Sequence, residues 1–224
     1  MLLACFKPTF AAKLIVQKYM ALNGVLNDLL VEILNENQIT ELNELQQMCV
    51  PKIKSGNDLL CIAPEGSGKT TTIVATVLHK LKKAVHDNPR AVIVVPDIAR
   101  AEAMRLTFEK LGYYTDLRVH TACENEKIDD QKDRIYMGSD VVIGTLKRLT
   151  QIYTMYALNL SVVKMLIVDD AEEVLRNMNL VQMIRIAEGP VKTQHIVFAT
   201  RLSEWVDRYT ERILNISEVI EFEE

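Results

Sequence analysis

Two short stretches carry residues that could do chemistry together. The first is Ala63-Pro64-Glu65-Gly66-Ser67-Gly68-Lys69-Thr70. Glycines at 66 and 68 let the backbone turn inward, so that several N–H groups can point at phosphate oxygens. A helix beginning at Lys69 adds its positive end. Ala63, Gly66, Ser67 and Gly68 then make a cradle. Lys69 is placed to reach the outer phosphates, and the Thr70 hydroxyl to ligate magnesium. The ligand that suits such a Walker A pattern is a nucleoside triphosphate, ATP with Mg2+ above all. The second stretch is Asp169-Asp170, which follows the apolar run Met165-Leu166-Ile167-Val168. A phosphate site needs one carboxylate to hold the hydrated metal and another to orient or deprotonate a water. Asp169 is assigned to magnesium, and Asp170 to the water.

Each stretch has a plainer reading. The first could be a Gly-rich turn with a surface lysine, and the second two acids opening a helix, where Asp is favoured. The elements around them decide. Leu59-Leu60-Cys61-Ile62-Ala63 predicts a short buried strand before the glycines, and a helix pattern runs from Lys69 to about Val85. That is the arrangement a phosphate cradle requires. Further strands are predicted at Ala91 to Val95, Val141 to Ile143, Val162 to Val168 and His195 to Phe198. Helical patterns fall at Ile98 to Leu111 and after Thr145. Apolar strands alternating with amphipathic helices mean a mainly parallel sheet with helices on both faces. Asp169 then stands at the C-terminal end of a buried strand, where ligands gather in such sheets.

Ahead of this unit the chain is helical in pattern. Leu26, Leu29, Leu30, Ile33 and Leu34 form one apolar helix face. A second short helix is expected from Glu41 into Val50, ahead of Pro51. The polar, acidic stretch from Thr121 to Ser139 reads as a loop or irregular insertion. The domain division is 1–36, an N-terminal helical segment, and 37–224, an ATP-binding lobe.

Bulk properties narrow the field. The chain has 224 residues, 49% of them apolar and 25% charged, an ordinary balance for one globular unit. A net charge of −4 argues against binding nucleic acid through a bulk positive field. Lys80, Lys82, Lys83 and Arg90, and again Lys147 and Arg148, are local basic groups that read first as solvated helix ends. The four cysteines lie far apart, with no paired spacing, which points to a reducing compartment without disulfides. His120 and Cys123 lack a second pair of ligands. No apolar run is long enough for a membrane span, and Lys7 and Lys13 break the apolar N-terminus. A cytoplasmic protein is expected.

The motifs in this order resemble the first RecA-like lobe of a DEAD-box RNA helicase. The 63–70 stretch resembles that family's A-x-T-G-S-G-K-T, and Val168-Asp169-Asp170-Ala171-Glu172 resembles V-D-E-A-D. Phe198-Ala199-Thr200 stands where the family has S-A-T, and Thr145-Leu146-Lys147-Arg148-Leu149 resembles T-P-G-R-L. Leu45-Gln46-Gln47-Met48-Cys49-Val50-Pro51 resembles the family's Q motif. The resemblance runs from about Asn27 to the C-terminus. It implies a RecA-like P-loop three-layer α/β fold and ATP with Mg2+ as cofactors. It makes Gln46 the reader of the adenine edge, and Thr145 and Arg148 the surviving RNA-facing positions.

The departures are equally specific. Glu65 replaces the loop threonine, and Asp170 replaces the catalytic glutamate, one methylene shorter. Glu172 and Phe198 replace the aspartate and serine whose contact relays nucleotide state in the family. Gln38, Ile39 and Leu42 stand at the lost glycine, aromatic and proline of the Q motif, with Tyr19 a weak upstream candidate for stacking on adenine. Pro96-Asp97-Ile98-Ala99-Arg100-Ala101 stands for P-T-R-E-L-A, so Ile98 takes the RNA-contacting arginine position. After Thr200 the pattern gives only a short helix and a strand-like tail, Ser217 to Glu224. The family's second lobe supplies arginines that contribute roughly 10³–10⁵ in rate. The expectation is therefore weak ATP hydrolysis at most and no unwinding by the chain alone. The partners implied are nucleotide, RNA, and a protein that brings a second RecA-like lobe. The alternative is a degenerate, non-enzymatic module that regulates or docks.

Overall fold

Apolar runs of four to six residues cannot bury themselves as helices, and here they pair side by side. The computed structural model describes residues 26–85, 87–176, 179–215 and 218–222. The strands are β1 (Leu59–Ile62), β2 (Ala91–Val95), β3 (Val119–Ala122), β4 (Val141–Thr145), β5 (Met165–Val168), β6 (Gln194–Ala199) and β7 (Glu218–Glu221). They form one sheet in the order β3-β4-β2-β5-β6-β1-β7, and every pairing is parallel. All strands therefore end on the same edge, and β1, β2 and β5 deliver their following loops there together.

Helices cover both faces. On one side lie α1 (Asp28–Glu36), α2 (Glu44–Ser55), α3 (Lys69–Leu81) and α4 (Ile98–Gly112). Their buried residues, among them Leu34, Leu45, Ile73 and Met104, meet Ile93, Ile143 and Ile196 of the sheet. The opposite face carries α5 (Ile128–Tyr136), α6 (Leu146–Thr154), α7 (Ala171–Val174), α8 (Asn179–Ala187) and α9 (Glu204–Ile213). There Leu149, Ile186 and Tyr209 meet Val92, Val94 and Val197. Alternate residues of one strand thus feed two cores, which is why the central strands are apolar throughout. This is the three-layer α/β fold that the alternation of patterns implied. No helix among the described residues is long and apolar enough to cross a membrane.

Leu30, Ile33 and Leu34 are buried along α1, and Leu26 just ahead of it, as their spacing requires. The side chain of Leu29, and Tyr19, lie outside the described residues. The hydroxyls of Tyr113 and Tyr114, past the end of α4, both bond Glu36, which pins the end of α1.

Several expectations need correction. The helix expected from Glu41 starts at Glu44, because Asn43 caps it, and it runs through Pro51 to Ser55. A proline there removes one N–H from the ladder, and the buried Cys49, Val50 and Ile53 hold the rest. The helix from Lys69 stops at Leu81 rather than about Val85, since Lys82 turns to φ 61°. The strand expected from Val162 begins at Met165. The stretch from Thr121 to Ser139 is no irregular insertion, because β3 ends and α5 forms within it. Its core-facing positions are partly polar: Gln131 is buried beside Ile135, and its Nε2 donates to the Cys123 carbonyl (2.7 Å). Hydrophobic periodicity alone does not register such a helix.

Candidate nucleotide-binding site

The 63–70 loop joins β1 to α3 at the C-terminal edge of the sheet. Ala63 N–H donates to Ala199 O (2.9 Å), which fixes the start of the loop against β6. Gly66 and Gly68 both take positive φ, 81° and 95°. At Gly68 space matters as well as conformation. A Cβ there would lie 2.7 Å from Asn43 Nδ2 and 3.0 Å from Gln46 Nε2. Ser67 is buried, and its hydroxyl donates to Pro64 O (2.8 Å). Lys69 is also buried, its ammonium donating to the carbonyls of Ala63 (2.8 Å) and Pro64 (3.0 Å). The lysine is thus folded across its own loop, held by neutral carbonyls that an anion would outcompete. Thr70, half-buried, is the second residue of α3.

Gln46 sits against this loop in a capping box. Its backbone N–H donates to Asn43 Oδ1 (2.9 Å), and its Oε1 accepts from Asn43 N (3.0 Å). Asn43 Nδ2 reaches on to Ser67 O (2.9 Å). Asn43 is absent from the sequence-derived site, although an N-cap followed three residues later by Gln is a readable signal.

The acids lie across the same edge. Asp169 is 1% exposed, and neither of its carboxylate oxygens has a hydrogen-bond partner among the described residues. Burial and the neighbouring charge of Asp170 push its carboxyl up to about 6, against the pull of Arg100 and Lys69. A buried carboxylate lacking donors is costly, and a cation relieves it. Its bare oxygens suit a hard, hydrated ion, so the residues present fit Mg2+.

Asp170, the N-cap of α7, takes a left-handed backbone at φ 48°. Asp is among the few side chains that tolerate this region, which favours it over the longer glutamate. Its Oδ1 stands 4.0 Å from Lys69 Nζ. Its Oδ2 accepts from Arg100 Nε (2.7 Å) and from Arg100 Nη2. Arg100 belongs to the first turn of α4 and is absent from the sequence-derived site. Only the adjacency of β2 and β5 reveals it. Glu65, Arg100, Asp170 and Glu173 line one open cleft of about 580 Å³.

Glu172 and Thr200 also meet. The Thr200 backbone N–H donates to Glu172 Oε1 (3.0 Å), and so does its hydroxyl. The ends of β5 and β6 are therefore linked although Phe198 is a core side chain.

Thr145 and Arg148 lie further along the edge. Thr145 caps α6, and its hydroxyl donates to Glu124 Oε2 (2.8 Å). Arg148 is buried, with Nη1 donating to Gln131 Oε1 (2.8 Å) and Glu126 O (3.1 Å). Its partners hold α5 against α6. Arg90, grouped in the sequence with surface lysines, is likewise buried and paired with Asp140 (2.7 Å).

Fold and edge together define a RecA-like α/β lobe. A family model described as DEAD/DEAH box helicase matches residues 43–207. The chain belongs to that family. It is 30% identical over 177 residues to the ATP-dependent RNA helicase DeaD of Haemophilus influenzae, covering 76% of this chain and 28% of that protein. To the ATP-dependent RNA helicase CshA of Listeria monocytogenes it is 26% identical, covering 87% and 38%. The chain therefore spans well under half the length of these relatives. Among solved structures, the yeast DEAD-box splicing factor Prp28 superposes with a TM-score of 0.82 at 19% identity, over 90% of this chain and 50% of that one.

Proposed function

We propose that this lobe binds ATP with Mg2+ and holds the nucleotide far better than it hydrolyses it. One observation carries the reading. The 63–70 loop with Lys69 and the bare carboxylate of Asp169 open on the same edge of the sheet. Ala63, Gly66, Ser67 and Gly68 supply the phosphate cradle, with Lys69 reaching the outer phosphates. Thr70 and Asp169 hold the metal, Asp169 partly through water, and Gln46 reads adenine beside the cradle. Bound magnesium neutralises charge on the phosphates. Asp170 is the acid offered to the attacking water, but one of its oxygens is engaged by Arg100. The lobe runs from residue 37 to 224 on this reading, with residues 1–36 as a leading segment.

RNA is the second ligand, and Thr145 and Arg148 are its inherited positions. Their bonds to Glu124 and Gln131 leave them little to offer, so RNA contact through this lobe is thin. Unwinding needs a second RecA-like lobe, which a protein partner would bring. The engaged Asp170 also favours a second reading, in which the lobe is a non-enzymatic regulator that docks on other proteins. We place the protein in the cytoplasm.

The test is a titration of magnesium ATP against the protein and its Lys69→Ala variant, followed by phosphate release with and without RNA. The variant should bind roughly 10–100-fold more weakly, the scale of a hydrogen bond to a charged group. An unmodified chain that fails to bind at millimolar ATP sinks the proposal. Binding without release selects the regulator. Brisk RNA-stimulated release by these residues alone contradicts slow turnover.

A further inference from the structure

Arg100 occupies an unfavourable place for an arginine. It stands in the first turn of α4, where the helix presents its positive end and carries no acidic residue in that turn. The buried face of α4 is made by Ala101, Met104, Phe108 and Leu111, so Arg100 adds nothing to the core. Further along α4, Arg105 pairs with Glu102 and Glu109 of its own helix. Arg100 instead points across to the end of β5, where Nε and Nη2 meet Asp170 and Nε comes within 3.9 Å of Asp169. It is the single cation among the residues lining the cleft with Glu65, Asp97, Asp170 and Glu173.

The Asp170 carboxylate lies between two cations. One oxygen takes Arg100, and the other faces Lys69 at 4.0 Å. A terminal phosphate is the same kind of ligand, an anion whose several oxygens can engage two cations at once. Arg100 and Lys69 thus flank one anionic group from two sides, as they could flank the outermost phosphate of a triphosphate. We propose that Arg100 is a cis-acting arginine that transfers from Asp170 to the terminal phosphate. The lobe thereby distinguishes ATP from ADP with its own residues. The inference rests on the nucleotide reading above. Releasing Asp170 at the same moment frees its second oxygen toward water.

The experiment compares magnesium ATP and magnesium ADP binding to the whole chain, to Arg100→Ala and to Asp170→Asn, by calorimetric titration. Arg100→Ala should weaken ATP roughly tenfold or more and ADP less than about twofold, as expected for one charged hydrogen bond. Asp170→Asn frees Arg100 in the empty protein, so it should widen the preference for ATP over ADP. That variant keeps the proposal testable if Arg100→Ala does not fold. Equal weakening of both nucleotides by Arg100→Ala overturns it, and so does tighter ATP binding, which would make Arg100 a plug. An unmodified chain that binds ATP and ADP alike overturns this inference while leaving the nucleotide site intact. A chain that binds neither overturns both.

Discussion

At the scale of single residues, Asp169 sets function against stability. Its carboxyl is raised from 3.8 to about 6 by burial and by Asp170. A raised folded value means that the ionised form is disfavoured in the native state. The destabilisation is full above about pH 6 and fades as pH falls toward the unfolded value. A rise of this size corresponds to about 3 kcal/mol. Asp169→Asn should therefore stabilise the metal-free protein at pH 7 by roughly 1–3 kcal/mol, with the gain shrinking toward pH 4. Urea unfolding at the two pH values measures it, and a loss of stability at pH 7 would contradict the assignment. Most of the candidate site is legible at this scale, because glycines, a lysine and terminal acids are set by local chemistry. Arg100 is not. An arginine in a helix rich in charged residues has no signature, and its partner, Asp170, lies 70 positions away in sequence.

Elements were read well where their pattern was apolar and poorly where polar groups entered the core. β2 follows from the run Ala91-Val92-Ile93-Val94-Val95. β3 is an edge strand, mostly half-buried, and α5 hides behind Gln131, so neither has a strong period. The 44–55 helix departs from its apolar pattern at both ends, since Asn43 caps its start and burial of Ile53 carries it past Pro51. The β3–β4 pairing has its own requirement. Gly144 opposes Ala122, and a Cβ at 144 would lie 2.4 Å from the Ala122 carbonyl oxygen. That neighbour is backbone and moves only with its strand. Gly144→Ala should cost about 1–3 kcal/mol, as overpacking typically does. The denaturant midpoint reports it, and a change below about 0.5 kcal/mol would mean that β3 shifts freely.

Across the whole molecule, the two edges of the sheet do different work. Parallel strands bring the 63–70 loop, Asp169 and Asp170 to one edge, where the Asp169 carboxylate has no hydrogen-bond partner among the described residues and Asp170 takes a left-handed backbone. At the other edge, the buried carboxylates of Asp58 and Asp140 are both engaged. Asp58 accepts from the backbone N–H groups of His195 and Asn215 (both 2.8 Å), tying β6 and the approach to β7 to the start of β1. Asp140, ahead of β4, accepts from Arg90 Nη2 (2.7 Å), Arg118 Nε (3.0 Å) and Arg118 N (3.1 Å). Burial alone would raise the Asp140 carboxyl, but these donors hold it below its usual value of 3.8. A depressed folded value contributes stability above pH 3.8 that is lost as pH falls through the folded pKa. Asp140→Asn leaves the Arg90 guanidinium buried without its countercharge, which typically costs about 3–5 kcal/mol. Its magnesium ATP affinity, measured well below the unfolding temperature, should stay within about twofold, because the strands separate it from the site. Asp169→Asn should do the reverse, gaining stability and losing magnesium-dependent binding. An Asp140→Asn protein that is folded yet binds ATP tenfold more weakly would show that the two edges are coupled through the sheet.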